Sequence, residues 1–120
     1  MAAVKLVRSK YGAVKTQIDG ITFASKAEAR HYQELRQLER LGLITELQLQ
    51  PRFELAKAVK FAGAARATPA LRYQADFAYR NADGKRVVSD VKGHVTEGYR
   101  IKRHLMLAIH GIEVQEVRYK

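Results

Sequence analysis

The fold is decided by the stretch from Tyr73 to Gly93, Tyr-Gln-Ala-Asp-Phe-Ala-Tyr-Arg, Asn-Ala-Asp-Gly, Lys-Arg-Val-Val-Ser-Asp-Val-Lys-Gly. It reads as a β-hairpin. Apolar and polar residues alternate on both flanks, and Asp83-Gly84 is a turn signal because Gly84 takes positive φ at little cost. The loop length decides which side chains share a face. With Ala82-Asp83-Gly84 as a three-residue loop and Gly84 left-handed beside a bulge, Asn81 faces Lys85 and Asp76 lies opposite Asp90. A two-residue loop would put the two carboxylates on opposite faces. The odd-length loop is the expectation.

In that register Asp76, Asp90 and Lys92 share a face with Gln74, Ala78 and Val88. Tyr73, Ala75, Phe77, Tyr79, Val87, Ser89 and Val91 take the other. Directly paired positions hold their Cβ atoms about 4.5 to 5.5 Å apart, so two aspartates there repel unless a cation or proton intervenes. Mg²⁺ is the economical answer, with Mn²⁺ as its substitute, because it binds a few carboxylate oxygens and keeps its other positions for water and phosphate. The plainer alternative is a solvated sheet face on which Lys92 screens two acids. Val87-Val88-Ser89-Asp90-Val91-Lys92-Gly93 argues against it, since apolar residues on both faces suggest an interior strand, and burying charges without a task is costly.

Asp76, thirteen intervening residues and then Asp90-Val91-Lys92 resemble the signature of the PD-(D/E)XK nuclease superfamily, although Ala75 stands where the pattern carries a proline that members often lack. Further stretches extend the resemblance: Ser25-Lys26-Ala27-Glu28-Ala29, Leu49-Gln50-Pro51-Arg52-Phe53, and Gly93 followed by Thr96, Tyr99-Arg100 and Lys102. Together they are similar to a small family of phage and prophage nucleases catalogued mostly as a domain of unknown function, from about Tyr11 to Val117. The resemblance implies a metal-dependent endonuclease in which Asp76 and Asp90 hold the metal, with the Val91 carbonyl as a further ligand. It also implies a metal- or water-positioning role for Glu28, and it puts Gln50 beside the site.

Composition sets the outer bounds. A chain of 120 residues is read as one domain, 1-120, with a basic arm over 1-12 and a core over 13-120. Its formal charge of +10, from 22 Lys and Arg against 12 Asp and Glu, points to a polyanionic partner, DNA. No membrane partner is expected, because no apolar run approaches the length of a span. The amino terminus lacks a signal peptide's apolar core, and zero cysteines exclude disulfides and thiolate metal sites. A cytoplasmic location fits, in a bacterial host if the phage resemblance holds.

Along the chain, Val14 to Phe23 reads as a hairpin around Asp19-Gly20, preceded by a loosely docked basic arm. Lys10 and Lys15 are candidates for following a phosphate backbone, or for a solvated edge. Ser25 opens a helix ending near Leu41-Gly42, and Ser25-x-x-Glu28 is a capping box. Capping alone explains Glu28, yet Glu28 lies in line with Tyr32, Leu35 and Leu38 on the face that packs, so both roles stand. Ile44 to Leu55 reads as one strand bent at Pro51, and Ala56 to Pro69 as a loop that extends the hairpin. A second helix runs from about Glu97 to His110, capped by Thr96 and stopped by Gly111, with Ile101, Leu105, Ala108 and Ile109 as its buried stripe. Tyr99 is read as packing. Arg100, Lys102 and Arg103 are candidates for phosphate docking, and His94 for a phosphate contact or a plain loop residue. Ile112 to Val117 is a last strand, whose long helical crossover argues for parallel pairing.

The expected fold is α+β with a mixed sheet, in the order hairpin, helix, three strands, helix, strand. That order resembles the restriction-endonuclease-like α-βββ-α-β core. The expected function is DNA phosphodiester hydrolysis in which Lys92 orients or deprotonates a water and stabilises charge on phosphorus. Positioning and electrostatic stabilisation are its safer roles beside two aspartates. No base-reading motif is evident, so selectivity for structure or ends is expected rather than a sequence code. The rivals are a non-catalytic nucleic-acid-binding accessory protein and a Holliday-junction resolvase acting in DNA recombination. A homodimer fits the latter, since 120 residues leave little surface for gripping DNA alone.

Overall fold

The computed structural model describes the backbone of residues 5–8 and the whole of residues 14–119. In chain order the elements are β1 (Lys5–Arg8), β2 (Val14–Ile18), β3 (Ile21–Phe23), α1 (Lys26–Arg40), β4 (Thr45–Leu49), β5 (Arg52–Ala56), β6 (Leu71–Gln74), β7 (Phe77–Arg80), β8 (Arg86–Val91), α2 (Glu97–His110) and β9 (Gln115–Val117). They form a small α+β fold with a mixed sheet. The central sheet runs β4-β7-β8-β9, and β1-β2-β3 and β5-β6 are separate antiparallel sheets.

The hairpin at the centre takes the odd loop. Ala78 pairs with Val88 and Arg80 with Arg86, and the Asn81 N–H donates to the Lys85 carbonyl at 2.9 Å. Gly84 has φ of 78°, and the Asn81 side chain accepts from the N–H groups of Asp83 and Lys85, so the loop's length and shape are held from inside. β9 runs parallel to β8, with Ser89 opposite Gln115, as a helical crossover requires. It starts at Gln115, not Ile112.

Each face of the central sheet buries its own cluster. On one side Phe77 meets Ala29, Tyr32 and Leu35 of α1 together with Ile18, Phe23 and Ile44. On the other, Ala78 and Val88 meet Tyr99 and Met106 of α2 together with Phe53 and Leu55. Full burial of a side chain such as Phe77 or Val88 contributes about 1.5–3 kcal/mol. α1 begins where expected: the Ser25 hydroxyl accepts from the Glu28 N–H at 3.1 Å, and Gly42 follows the helix at φ 77°.

Four expectations are corrected. The segment Lys5–Arg8, within the expected arm, pairs with β2 as a strand. The stretch from Ile44 to Leu55 is two strands in two sheets, because Gln50 at φ 52° and Pro51, which lacks an N–H, break the ladder. Tyr73 to Arg80 breaks in the same way at Ala75-Asp76, which lies outside both β6 and β7. Tyr73 and Ala75 therefore join the α2 side instead of the α1 side. In α2 the buried residues are Tyr99 and Met106, while Ile101 and Ile109 are half exposed and Ala108 is exposed. The loop from Ala56 to Pro69 contains no helix and carries one bridge, Val59 to Thr68, which lengthens the β5-β6 arm.

Candidate active site

Asp76 and Asp90 sit where the two sheets meet. The Asp76 N–H donates to Asp90 Oδ1 at 3.1 Å, and the Val91 N–H donates to Asp76 Oδ2 at 2.8 Å. The backbone at Asp76 thus holds the Asp90 carboxylate, and the backbone beside Asp90 holds that of Asp76. Asp90 is buried at 3% exposure, and its Oδ2 accepts from the Tyr73 hydroxyl at 2.5 Å and pairs with Lys92 Nζ at 2.9 Å. Lys92 Nζ also lies 4.1 Å above the Tyr99 ring, a cation–π contact on a second side. Tyr99 packs, as expected, and its hydroxyl donates to Glu116 at 2.7 Å.

The electrostatics of the pair call for a positive partner. Burial, then the hydrogen bond and charge of Asp90, push Asp76 up to about 8. Burial and the bond to Asp90 also push the Tyr73 phenol up, so it stays a donor. Two carboxylates in one groove, one of them driven towards its protonated form by burial and then by the other, suit a hard cation that takes one or two carboxylates and completes its shell with water and phosphate. No group of three His, Cys, Asp or Glu side chains able to hold a metal ion occurs among the described residues.

Glu28 feels the charges of Asp90 and Lys92 and acts on Asp76, without forming with the pair a three-residue metal-holding group among the described residues. It lines a cavity of about 230 Å³ that shares Asp76 with the main groove, and its carboxylate reaches the backbone of Ala24. Burial raises its pKa, and that backbone contact lowers it. The helix start explains the difference, since a side chain in the first turn points back towards the cap.

The main groove, about 590 Å³, opens over the pair and is lined by Arg52, Arg72, Lys92 and Lys102. Of the three expected phosphate-docking residues on α2, only Lys102 reaches it. Arg100 pairs with Glu97 at 2.6 Å, Arg103 pairs with Glu116 at 2.6 Å, and both line a different cavity with His104 and Leu107. Positions 100 and 103 are three apart and share one side of the helix, whereas Lys102 points to another, so adjacency in sequence did not mean a shared face. Lys15 is exposed on β2 and lines neither the groove nor the Glu28 cavity, and Lys10 lies outside the described residues. His94 is exposed in the loop after β8 and lines neither. Gln50 lines the smaller cavity, beside Asp76. Val91 contributes its N–H to Asp76, and its carbonyl's role as a ligand belongs to the proposal below.

Arg52 and Arg72 are the residues that sequence reasoning missed. They lie on β5 and β6, where Glu54 pairs with Arg72 and Arg52 with Gln74, and the Arg52 Nε donates to Gln74 Oε1 at 3.1 Å. Alternation with buried Phe53 and Tyr73 put both arginines on an exposed face, but only the break at Ala75-Asp76 turns that face towards the pair.

No curated protein and no solved structure matches the chain. A family profile described as "Protein of unknown function (DUF1064)" matches residues 8–118, which include every site residue named above. The chain therefore belongs to the DUF1064 family.

Proposed function

We propose that the chain is a metal-dependent endonuclease that hydrolyses phosphodiester bonds in DNA, built on a restriction-endonuclease-like core and selecting strand structure or ends rather than base sequence. The observation that carries this reading is the pairing of Asp76 with Asp90 on the floor of a basic groove, with Lys92 beside them. Mg²⁺ or Mn²⁺ on the two aspartates, with the Val91 carbonyl as a further ligand, would supply Lewis-acid activation of the phosphate and of a bound water. Arg52, Arg72 and Lys102 neutralise the incoming backbone and orient it. Lys92, held between Asp90 and the Tyr99 ring, is a positioned charge for the oxygens on phosphorus, where such a group stabilises the transition state more than the ground state. Glu28 shares a cavity with Asp76 and interacts with the charges of Asp90 and Lys92, which supports a part for it in assisting through metal or water.

A second reading has one specific observation in its favour. Asp90 Oδ2 is already engaged by Tyr73 and Lys92, the arrangement of an acid closed off from metal, and such a chain would bind DNA as an accessory protein without cutting it. Incubation of plasmid, single-stranded and branched DNA with Mg²⁺ or Mn²⁺ separates the two. Cutting that Asp90→Ala abolishes supports the nuclease, whereas cutting untouched by that substitution removes the site assignment. DNA binding with no cutting in either metal favours the accessory protein.

A further inference from the structure

Asp76 is a wall shared by two unlike cavities. The large one is the basic groove already described. The smaller, about 230 Å³, has apolar walls from Ile21, Phe23, Leu49 and Phe77, and polar groups from Thr22, Glu28 and Gln50. None of its lining residues is a lysine or arginine, in a chain that carries 22 of them. With no cation in its lining it offers a phosphate no charged partner. Its volume falls below the roughly 300–1,000 Å³ typical of pockets for drug-sized ligands, which leaves room for about one flat ring system.

A nucleic acid brought to the carboxylate pair has two kinds of surface to place. Its sugar-phosphate chain suits the arginine-lined groove, and an apolar slot with a few polar groups at the rim suits a base, whose faces stack on apolar walls and whose edge makes hydrogen bonds. Gln50 offers both a donor and an acceptor in one side chain. Its backbone is fixed beside Asp76, whose carbonyl accepts from the Gln50 N–H at 2.8 Å, and its φ of 52° is a conformation that a glutamine seldom takes.

We infer that the cavity bounded by Phe23, Leu49, Gln50 and Glu28 receives an unpaired nucleobase next to the phosphate at Asp76 and Asp90, so the substrate is DNA with an unstacked nucleotide at the cut. The inference rests on the nuclease reading for the position of the phosphate, and it names the strand structure that the site selects. A base within a continuous duplex is held out by its own pairing and stacking, which a mismatch, bulge or single strand has already lost.

The test reads base capture separately from cutting. DNA carrying 2-aminopurine at one unpaired position, and the same probe in a fully paired duplex, are titrated with metal-free protein and followed by fluorescence. The expected result is a change in emission for the unpaired probe at least about fivefold larger than for the paired one. Leu49→Trp, which fills the slot from a partly exposed position, and Gln50→Gly, which suits the left-handed backbone while deleting the amide, should each reduce that change to about the paired level. Either variant suffices if the other does not fold. An equal change in emission for paired and unpaired probes, or a response that both folded variants leave intact, overturns the inference. Failure to cut any DNA in Mg²⁺ or Mn²⁺, with base capture intact, instead removes the nuclease reading and leaves the base slot standing.

Discussion

The Tyr73 hydroxyl donates to Asp90 Oδ2 across 2.5 Å from a strand that belongs to a different sheet from Asp90 itself. A hydrogen bond to a charged group contributes about 1.5–3 kcal/mol. Tyr73→Phe keeps the ring that packs near Tyr99 and removes only that donor. Denaturant melts of metal-free protein should show a loss of stability of about that size, and an unchanged midpoint would mean that the bond adds nothing net.

Asp76 makes the metal-free fold sensitive to rising pH. Its carboxyl binds a proton up to about 8 in the folded chain, against an ordinary value of 3.8, so the folded state holds a proton that the unfolded state has released over that window. The stabilisation is present at low pH and is lost as pH climbs towards about 8. Melting temperature without metal should therefore fall across this range. Mg²⁺ should raise it more at about pH 8 than at about pH 5, and Asp76→Asn should flatten both trends.

His31 imposes the opposite limit. Its ring is buried between α1 and β8, with Nε2 3.0 Å from the Ser89 hydroxyl and the Tyr119 hydroxyl 3.4 Å from Nδ1. Burial lowers its pKa below 6.5, so the neutral ring's contribution is full above that value and is lost as pH falls through the folded one. His31→Gln should lower stability near neutrality and weaken the acid-side fall in melting temperature. An acid limb identical to that of the parent chain would assign the loss to other groups.

If the chain acts on DNA as proposed, arginines of the β5-β6 arm, rather than those of α2, should carry the grip. Arg52→Gln and Arg72→Gln are each expected to weaken binding and to reduce the slope of log K against log salt by about one. Arg100→Gln, whose guanidinium is paired with Glu97 away from the groove, should leave affinity within about twofold. Binding isotherms at several salt concentrations check all three. An equal loss from Arg100→Gln would return the interface to the face read from the sequence.

What the sequence made legible follows from local rules. Gly84 and the loop's odd length set the register of Asp76 with Asp90, Ser25 and Gly42 marked the ends of α1, and a helical crossover implied that β9 would run parallel. Sites that depend on distant partners stayed hidden. α2 carries two competing stripes, and the apolar one, through Ile101 and Ile109, is the one left half exposed. The side that packs holds Tyr99 and Met106 together with Arg103 and His110, whose polar atoms find Glu116 and the Glu54 carbonyl. Periodicity cannot weigh a stripe against acceptors contributed from elsewhere in the chain. The breaks at Gln50-Pro51 and Ala75-Asp76 were hidden for a related reason. Pro51 announced a bend, but nothing local said that two strands would each divide between two sheets, and that division moved Tyr73 to Asp90 and aimed Arg52 and Arg72 at the groove.

The connection from Asn81 to Lys85 also bears on how the site could be lost over evolutionary time. Side chains alternate along a strand, so gaining or losing a single codon there would yield a hairpin of similar quality whose two acids stand back to back. Selection on the chemistry should therefore tolerate many residues at Ala82 and Asp83 while rejecting any change in their number. On the proposed function, an indel at that tip would be the shortest route to an inert copy that still folds.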